Sequence, residues 1–347
     1  ALFVSFFPVI LSGPIERSGN LLRQIRELPE KALWNYGRVA GGLTLLLFGL
    51  FQKMVIADRI AILANQVFDN YHMYGTFGLT VGAIAYTIQI YCDFASYSMM
   101  AFGVAKVLDF GIIENFQTPY FSRSMREFWR RWHISLSSWF RDYLYIPLGG
   151  SRCGKWRRYF NLMVTFLASG LWHGAGWNFA LWGLYFGVFL SAEKLIGKKW
   201  KERSFKIADI SANNDSNGGD RENMFLTCVR NIIEHGYVLL VVLFSFVIFR
   251  VESVREIKEQ LLGLAGSYGN AMTPMAAYEI KSYLILLLIA CAGATPFPAM
   301  CVQRLKNTNM WKKSGWLLQS CYILTGLVLA TAFLLGSSVH PFLYFRF

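Results

Sequence analysis

Residues Ser169 to Gly183 read SGLWHGAGWNFALWG. They set one titratable residue, His173, inside an apolar run, with Trp172, Trp177 and Trp182 around it and Gly170, Gly174 and Gly176 between. Glycines let a backbone turn or approach another segment closely. A polar side chain is costly in hydrocarbon, so an ionisable group in such a run faces protein or a cavity. The chain is apolar on both sides, from Tyr159 to His173 and from Trp177 to Ala192. The stretch therefore predicts the apex of a helical hairpin with a histidine at its tip. The first arm measures roughly 22 Å at about 1.5 Å per residue. The hydrocarbon core is roughly 30 Å thick, so the apex is expected to stop inside the bilayer.

Composition sets the class around this hairpin. Of 347 residues, 54% are hydrophobic and only 16% are charged, where a soluble domain carries about 25% charged residues. A mean hydropathy of +0.36 over this length predicts an all-α polytopic membrane protein. The net charge of +13 is then read as cytoplasmic loops rich in Lys and Arg, not as a surface for nucleic acid. The cysteines, Cys92, Cys153, Cys228, Cys291, Cys301 and Cys321, are scattered without a CxxC pair, and neither a metal site nor a disulfide framework is expected. The chain opens at Ala1 within an apolar run and lacks the charged n-region of a signal peptide. A fragment without its first helices is expected, otherwise one domain over 1–347 with a polar loop at 197–224.

Further spans are expected at Val39 to Ala57, interrupted late by Gln52 and Lys53, and at Phe77 to Ala105. Others are expected at Ile232 to Phe249, at Tyr283 to Met300 and at Trp316 to Ser337. The fourth of these five contains Pro296 and Pro298, so its end is expected to be kinked or broken. Asp93 is the one charge in Phe77 to Ala105; a helix–helix hydrogen bond and a functional role are both open to it. Basic residues concentrate in Glu16 to Arg38, Arg123 to Arg158, Lys194 to Lys206 and Arg304 to Lys313. The connection Lys53 to Tyr74 is balanced in charge, as is Arg250 to Lys281. One topology fits, with all four basic stretches on the cytoplasmic side.

The stretch Arg126 to Gly150, REFWRRWHISLSSWFRDYLYIPLGG, supplies a second histidine, His133. Arginines interleave with Phe128, Trp129, Trp132, Trp139 and Phe140. This is the pattern of a helix lying in the membrane interface, with aromatics at headgroup depth and arginines facing phosphates or water.

Histidine is the side chain suited to proton transfer near neutral pH. Desolvation keeps a buried imidazole neutral, and a neutral imidazole accepts a proton from an attacking hydroxyl. Acyl transfer from a thioester needs that base, a route for each substrate and a donor to the developing oxyanion. On spacing alone His173 also fits a buried histidine bonded to a backbone carbonyl, and His133 a plain interfacial side chain.

WRRWHISLSSWFRDYLYIPLGG, SGLWHGAGWNFALWG and QIYCDFASYS (Gln89 to Ser98) resemble the membrane-bound O-acyltransferases, in the branch of the bacterial alginate O-acetyltransferase membrane subunits and the D-alanyl transfer proteins. FFPVILSGPIER near the start and PFLYFRF at the end fit the same branch. The resemblance implies a bundle of transmembrane helices with short, re-entrant and interfacial helices around a central tunnel. It implies that His173 is the catalytic residue and that His133 lines the same tunnel. Trp172, Trp132, Arg130, Arg131, Asn161 and Asp93 are expected to line or support it. It further implies no bound cofactor, and a cytosolic thioester donor such as acetyl-CoA. The acyl group passes across the inner membrane to an extracytoplasmic partner of the serine hydrolase-like type, for O-acetylation of an exported or cell-envelope polysaccharide. The family's YSD element is incomplete here, because Met99 follows Tyr97-Ser98.

Two other readings stay open. One is an acyltransferase for a lipid or protein hydroxyl. The other is a transporter of an acylated carrier with the histidines as a proton relay. Transporters commonly show two related halves with broken helices, and this sequence shows no internal repeat.

Overall fold

The computed structural model describes residues 3–10, 13–31, 34–212, 219–269 and 272–336, with side chains described for these apart from 30, 197–212, 219–225 and 312. Among the described residues there are helices and no strands. Among the described residues five stretches are long and apolar enough to cross a membrane: Tyr36–Asp69, Trp177–Ile196, Leu226–Arg250, Pro274–Gly293 and Lys313–Gly336. The protein is an all-α membrane protein. It forms two compact units, one of Ala1–Thr118, His133–Leu136 and Lys258–Phe347, the other of Pro119–Trp132 and Ser137–Ile257.

The first unit begins with the short amphipathic α1 (Ser18–Arg26), whose Leu21 is fully buried. Helix α2 (Tyr36–Phe51) starts where the Asn35 side chain accepts the N–H of Arg38 at 2.9 Å, an N-cap that satisfies an otherwise unpaired donor. The sequence predicts a connection from Lys53 onward; instead a π-helical turn (Gln52–Ala57) leads straight into α3 (Asp58–Asp69). This turn carries a buried charge cluster: Lys53 Nζ lies 2.8 Å from Asp58 Oδ1 and 2.6 Å from Asp93 Oδ1 on α4 (Thr76–Val107). The extra residue of a π turn re-aims the side chains around it.

Helices α2 and α4 meet backbone to backbone. A Cβ on Gly42 would lie 2.6 Å from the Gly103 carbonyl oxygen, and one on Gly103 would lie 2.7 Å from the Gly42 oxygen. Gly49 faces the Ser96 oxygen in the same way at 2.7 Å. Small residues at such crossings permit the close approach that drives helix association in lipid.

The segment after α4 is clamped by polar contacts. Gln24 and Gly111 exchange two hydrogen bonds, at 2.8 and 2.7 Å. Asp109 pairs with Arg38 at 3.2 Å and Lys31 at 3.6 Å. Glu16 accepts the N–H of Ile113 at 2.9 Å.

The second unit holds α5 (Met125–Arg131), α7 (Lys155–His173), α8 (Trp177–Ala212) and α9 (Gly219–Arg250). Ser124 caps the start of α5, its hydroxyl accepting Glu127 N–H at 3.1 Å, and the Glu127 carboxylate reaches back to accept Arg123 N–H at 2.9 Å. The carboxylate of Glu193 on α8 accepts the N–H groups of Met125 and Arg126. The expected single interfacial helix is broken at Trp132-His133, and α6 (Ile134–Phe140) follows. Phe128, Trp129, Trp132 and Phe140 are buried in protein, whereas Trp139, Tyr143 and Trp156 stay exposed. Phe128 and Trp129 pack on Phe186 of α8, and burial against another aromatic side chain competes with the interface.

The hairpin of α7 and α8 is present. Its first arm starts at Lys155, so it is longer than expected, 19 residues or about 28 Å. The two arms touch at glycines: a Cβ on Gly170 would lie 2.2 Å from the Phe179 oxygen, and one on Gly183 2.3 Å from the Phe166 oxygen. The polar stretch expected as a loop at 197–224 is helical through Ala212 and again from Gly219; 213–218 lie outside the described residues.

The remaining helices are α10 (Val254–Leu264), α11 (Pro274–Gly293), α12 (Phe297–Lys306) and α13 (Asn309–Gly336). The expected break at Pro296 is present, and the span before it runs from Pro274 instead of Tyr283 because Thr273 and Pro274 start the helix there. Within the first unit Gln66 donates to Glu279 of α11 at 2.8 Å, and Arg59 lies over the Phe333 ring of α13 at 4.7 Å. The outer faces of α11 and α13 expose Ile285, Leu288, Leu324 and Val328, as surfaces that meet lipid do.

Candidate active site

His173 is the last residue of α7. Gly174 follows it, and a Cβ there would lie 2.5 Å from the Phe179 ring, so only glycine fits at this turn. The imidazole is partly buried in an aromatic cage. Trp172 meets it at 5.0 Å, Phe249 at 5.1 Å and Trp182 at 5.3 Å, each nearly perpendicular, with Phe179 at 6.3 Å. Asn178 holds part of this cage, donating to the Phe249 carbonyl at 3.0 Å and so tying α8 to the end of α9.

Trp182 joins the cage to the helix that carries the basic motif. Its ring lies 5.7 Å from Trp129 and 5.2 Å from Phe186. Both indoles are buried, and among the described residues neither Nε1–H finds an acceptor. A buried indole N–H usually has one. Of the residues around His173, the sequence points to Trp172 and Trp182 but not to Trp129, Phe249 or Asn178. The i+5 offset of Asn178 from His173 across the glycine turn is the one signal in the sequence for these three.

The other expected residues fall as follows. Trp132 is buried in the second unit, stacked on Phe128 at 5.6 Å and tilted to Phe246 at 5.3 Å. Arg131 pairs with Glu127 at 2.6 Å one turn earlier on α5, and Arg130 is exposed. Asn161 is fully buried on α7 and donates to the Leu148 carbonyl at 2.9 Å. It thereby supports the turn containing Gly149 and Gly150, whose φ values of +107° and +54° favour glycine. Trp172 is half exposed beside His173.

His133 and Asp93 belong to the first unit. His133 is buried at the break between α5 and α6, with φ at +43°. Phe94 meets its ring edge-on at 4.6 Å. Asp93, the neighbour of Phe94 on α4, takes the ion pair with Lys53. The sequence points to a connection at Lys53, because charge alone does not reveal a partner 40 residues away. Met99, at the position where the family's aspartate is missing, is partly buried on α4. Among the described residues no three His, Cys, Asp or Glu side chains gather closely enough to hold a metal ion.

Comparison with known proteins places this geometry in context. Residues 1–212 match the model of the membrane-bound O-acyltransferase family. A probable alginate O-acetylase of Pseudomonas syringae pv. tomato is 37% identical over 270 residues, 78% of this chain and 46% of that protein. A peptidoglycan O-acetyltransferase of Helicobacter pylori is 31% identical across 100% of this chain and 64% of its own length. A teichoic acid D-alanyltransferase of Bacillus subtilis is 30% identical over 58% of this chain and 52% of its own. The chain thus spans roughly half to two thirds of the length of these relatives.

Proposed function

The chain belongs to the membrane-bound O-acyltransferase family, and on that premise we propose that it carries out acyl transfer, with His173 as the base. The observation that carries this reading is the caged imidazole at the tip of a glycine-linked hairpin. Three relatives named for acetyl or D-alanyl transfer to cell-envelope or exported polymers support the substrate class.

The step balances as follows. A hydroxyl oxygen attacks the thioester carbonyl while its proton passes to the neutral imidazole of His173. The carbonyl oxygen takes the negative charge, and the buried Trp182 N–H beside His173 is the donor assigned to it. The C–S bond then breaks, and the departing thiolate receives the proton from the imidazolium. An apolar cage excludes water that would hydrolyse the thioester.

In this reading the donor is a cytosolic thioester, acetyl-CoA in the first instance, and no cofactor is held. His133, on the basic aromatic segment, acts on the donor side. The acyl group leaves through a serine hydrolase-like partner for a cell-envelope polysaccharide, and the protein sits in the bacterial inner membrane. Mass spectrometry of the envelope polysaccharide tests this. The acetyl ester content should fall on deletion of the gene and return with the native chain but not with His173→Ala. Unchanged ester content in the deletion overturns the reading.

A further inference from the structure

The backbone at His133 adopts a conformation that residues with a Cβ seldom take. Its φ of +43° lies in the left-handed region, where Cβ crowds the following carbonyl. One residue, Asn115, makes three contacts around it. The Asn115 carbonyl accepts the N–H of Ile134 at 3.0 Å. Its Oδ1 accepts the N–H of Ser135 at 3.2 Å. Its Nδ2 donates to Ser98 Oγ on α4 at 3.1 Å. Asn115 is 1% exposed, so these bonds are made away from water.

Ile134 and Ser135 carry the first N–H groups of α6, which have no partner inside their own helix. Asn115 therefore caps α6 from a distant loop and bridges it to α4. Ser98 lies four residues after Phe94, on the same face of α4, and Phe94 is the ring against which the imidazole of His133 stands at 84°. Phe116, the next residue after Asn115, packs on Phe94 at 5.0 Å. The anchor of the backbone and the wall of the imidazole are thus built from one pair of segments.

We propose that Asn115 is a positioning residue for His133, holding it in the left-handed conformation that keeps its imidazole against Phe94. This rests on the reading above, in which His133 acts on the acyl donor. Asn115→Ala keeps the main-chain carbonyl that accepts Ile134 N–H but removes the acceptor of Ser135 N–H and the bridge to Ser98, and with them a restraint on the left-handed backbone at residue 133. The imidazole then leaves its place, and a misplacement of about 1 Å in a substrate-positioning group costs up to about 100-fold in rate.

The test is a double-mutant cycle in membranes holding equal amounts of each full-length variant, with radiolabelled acetyl-CoA as the donor and transfer to polymer as the readout. Asn115→Ala should raise the KM for acetyl-CoA or lower kcat/KM about 10- to 100-fold in the native background. It should add little in the His133→Ala background, because it acts through that side chain. Ser98→Ala, which removes only the bridge to α4, should give a smaller loss of the same kind, and it replaces Asn115→Ala if that variant does not reach the membrane. Equal further losses in both backgrounds would make Asn115 a general structural residue and overturn the proposal, as would full activity of Asn115→Ala and Ser98→Ala. Full activity of His133→Ala alone removes the donor role of His133 and the positioning proposal with it; loss in His133→Ala with full activity in Asn115→Ala removes the positioning proposal only.

Discussion

Lys53 Nζ lies 2.6 Å from Asp93 Oδ1, with both side chains inside the protein. The pair joins the π-helical turn after α2 to the middle of α4, and Asp58 adds a second carboxylate at 2.8 Å from the same ammonium. Charges taken out of water are tolerable only while paired, and removing one partner leaves the other buried and uncompensated. Lys53→Met should therefore destabilise the protein by about 3–5 kcal/mol, seen as an earlier thermal unfolding transition in detergent. Lys53→Met combined with Asp93→Leu should recover part of that loss. A single variant with native unfolding would mean that the pair contributes no net stability.

Glycine contacts give a graded prediction within the second unit. Gly183→Ala puts a methyl group 2.3 Å from the Phe166 carbonyl oxygen, a clash with backbone that cannot rotate away. Overpacking of this kind costs about 1–3 kcal/mol, and the hairpin arms must separate. Gly236→Ala on α9 meets nothing within 4 Å and should be neutral or stabilising by up to about 1 kcal/mol, since alanine favours helix over glycine. Expression and melting of the two variants side by side decide it; equal behaviour contradicts the contact.

The aromatic cage makes a prediction about chemistry. His173→Ala should lower acyl transfer by about 10²- to 10⁴-fold at unchanged membrane levels. Near-native transfer by this variant would sink the assignment of the base.

Trp182→Phe keeps a large ring beside His173 and removes only the N–H. If that N–H meets the oxyanion, kcat should fall by about 10²- to 10³-fold with little change in KM. A variant that changes stability but not kcat would return Trp182 to a packing role.

Topology follows from charge. Ser151 lies in the turn before α7 and Ser204 in the basic continuation of α8, and both are expected on the cytoplasmic side. In a background without the exposed native cysteines Cys228, Cys291 and Cys321, Ser151→Cys and Ser204→Cys should resist a membrane-impermeant thiol reagent in intact cells and react after lysis. Labelling of either from outside would reverse the orientation.

Sequence alone determined the class of this protein and the place of His173 at the end of a hairpin arm. Apolar runs of helix length require a membrane, and backbone polar groups in lipid require helices. Gly170, Gly174 and Gly176 mark a tight hairpin in the sequence, with His173 at its tip. What tertiary structure decided were pairings between distant segments: Lys53 with Asp93, Asn115 with Ser98 and the start of α6, and Asn178 with the Phe249 carbonyl that closes the cage. Tertiary packing also decided that Phe128, Trp129 and Trp132 are covered by protein. Periodicity reports which face of a helix is apolar, and an aromatic side chain is equally content against lipid, headgroup or another ring. Only the packing of the partner helices selects among them, as it selects which carboxylate meets a buried ammonium.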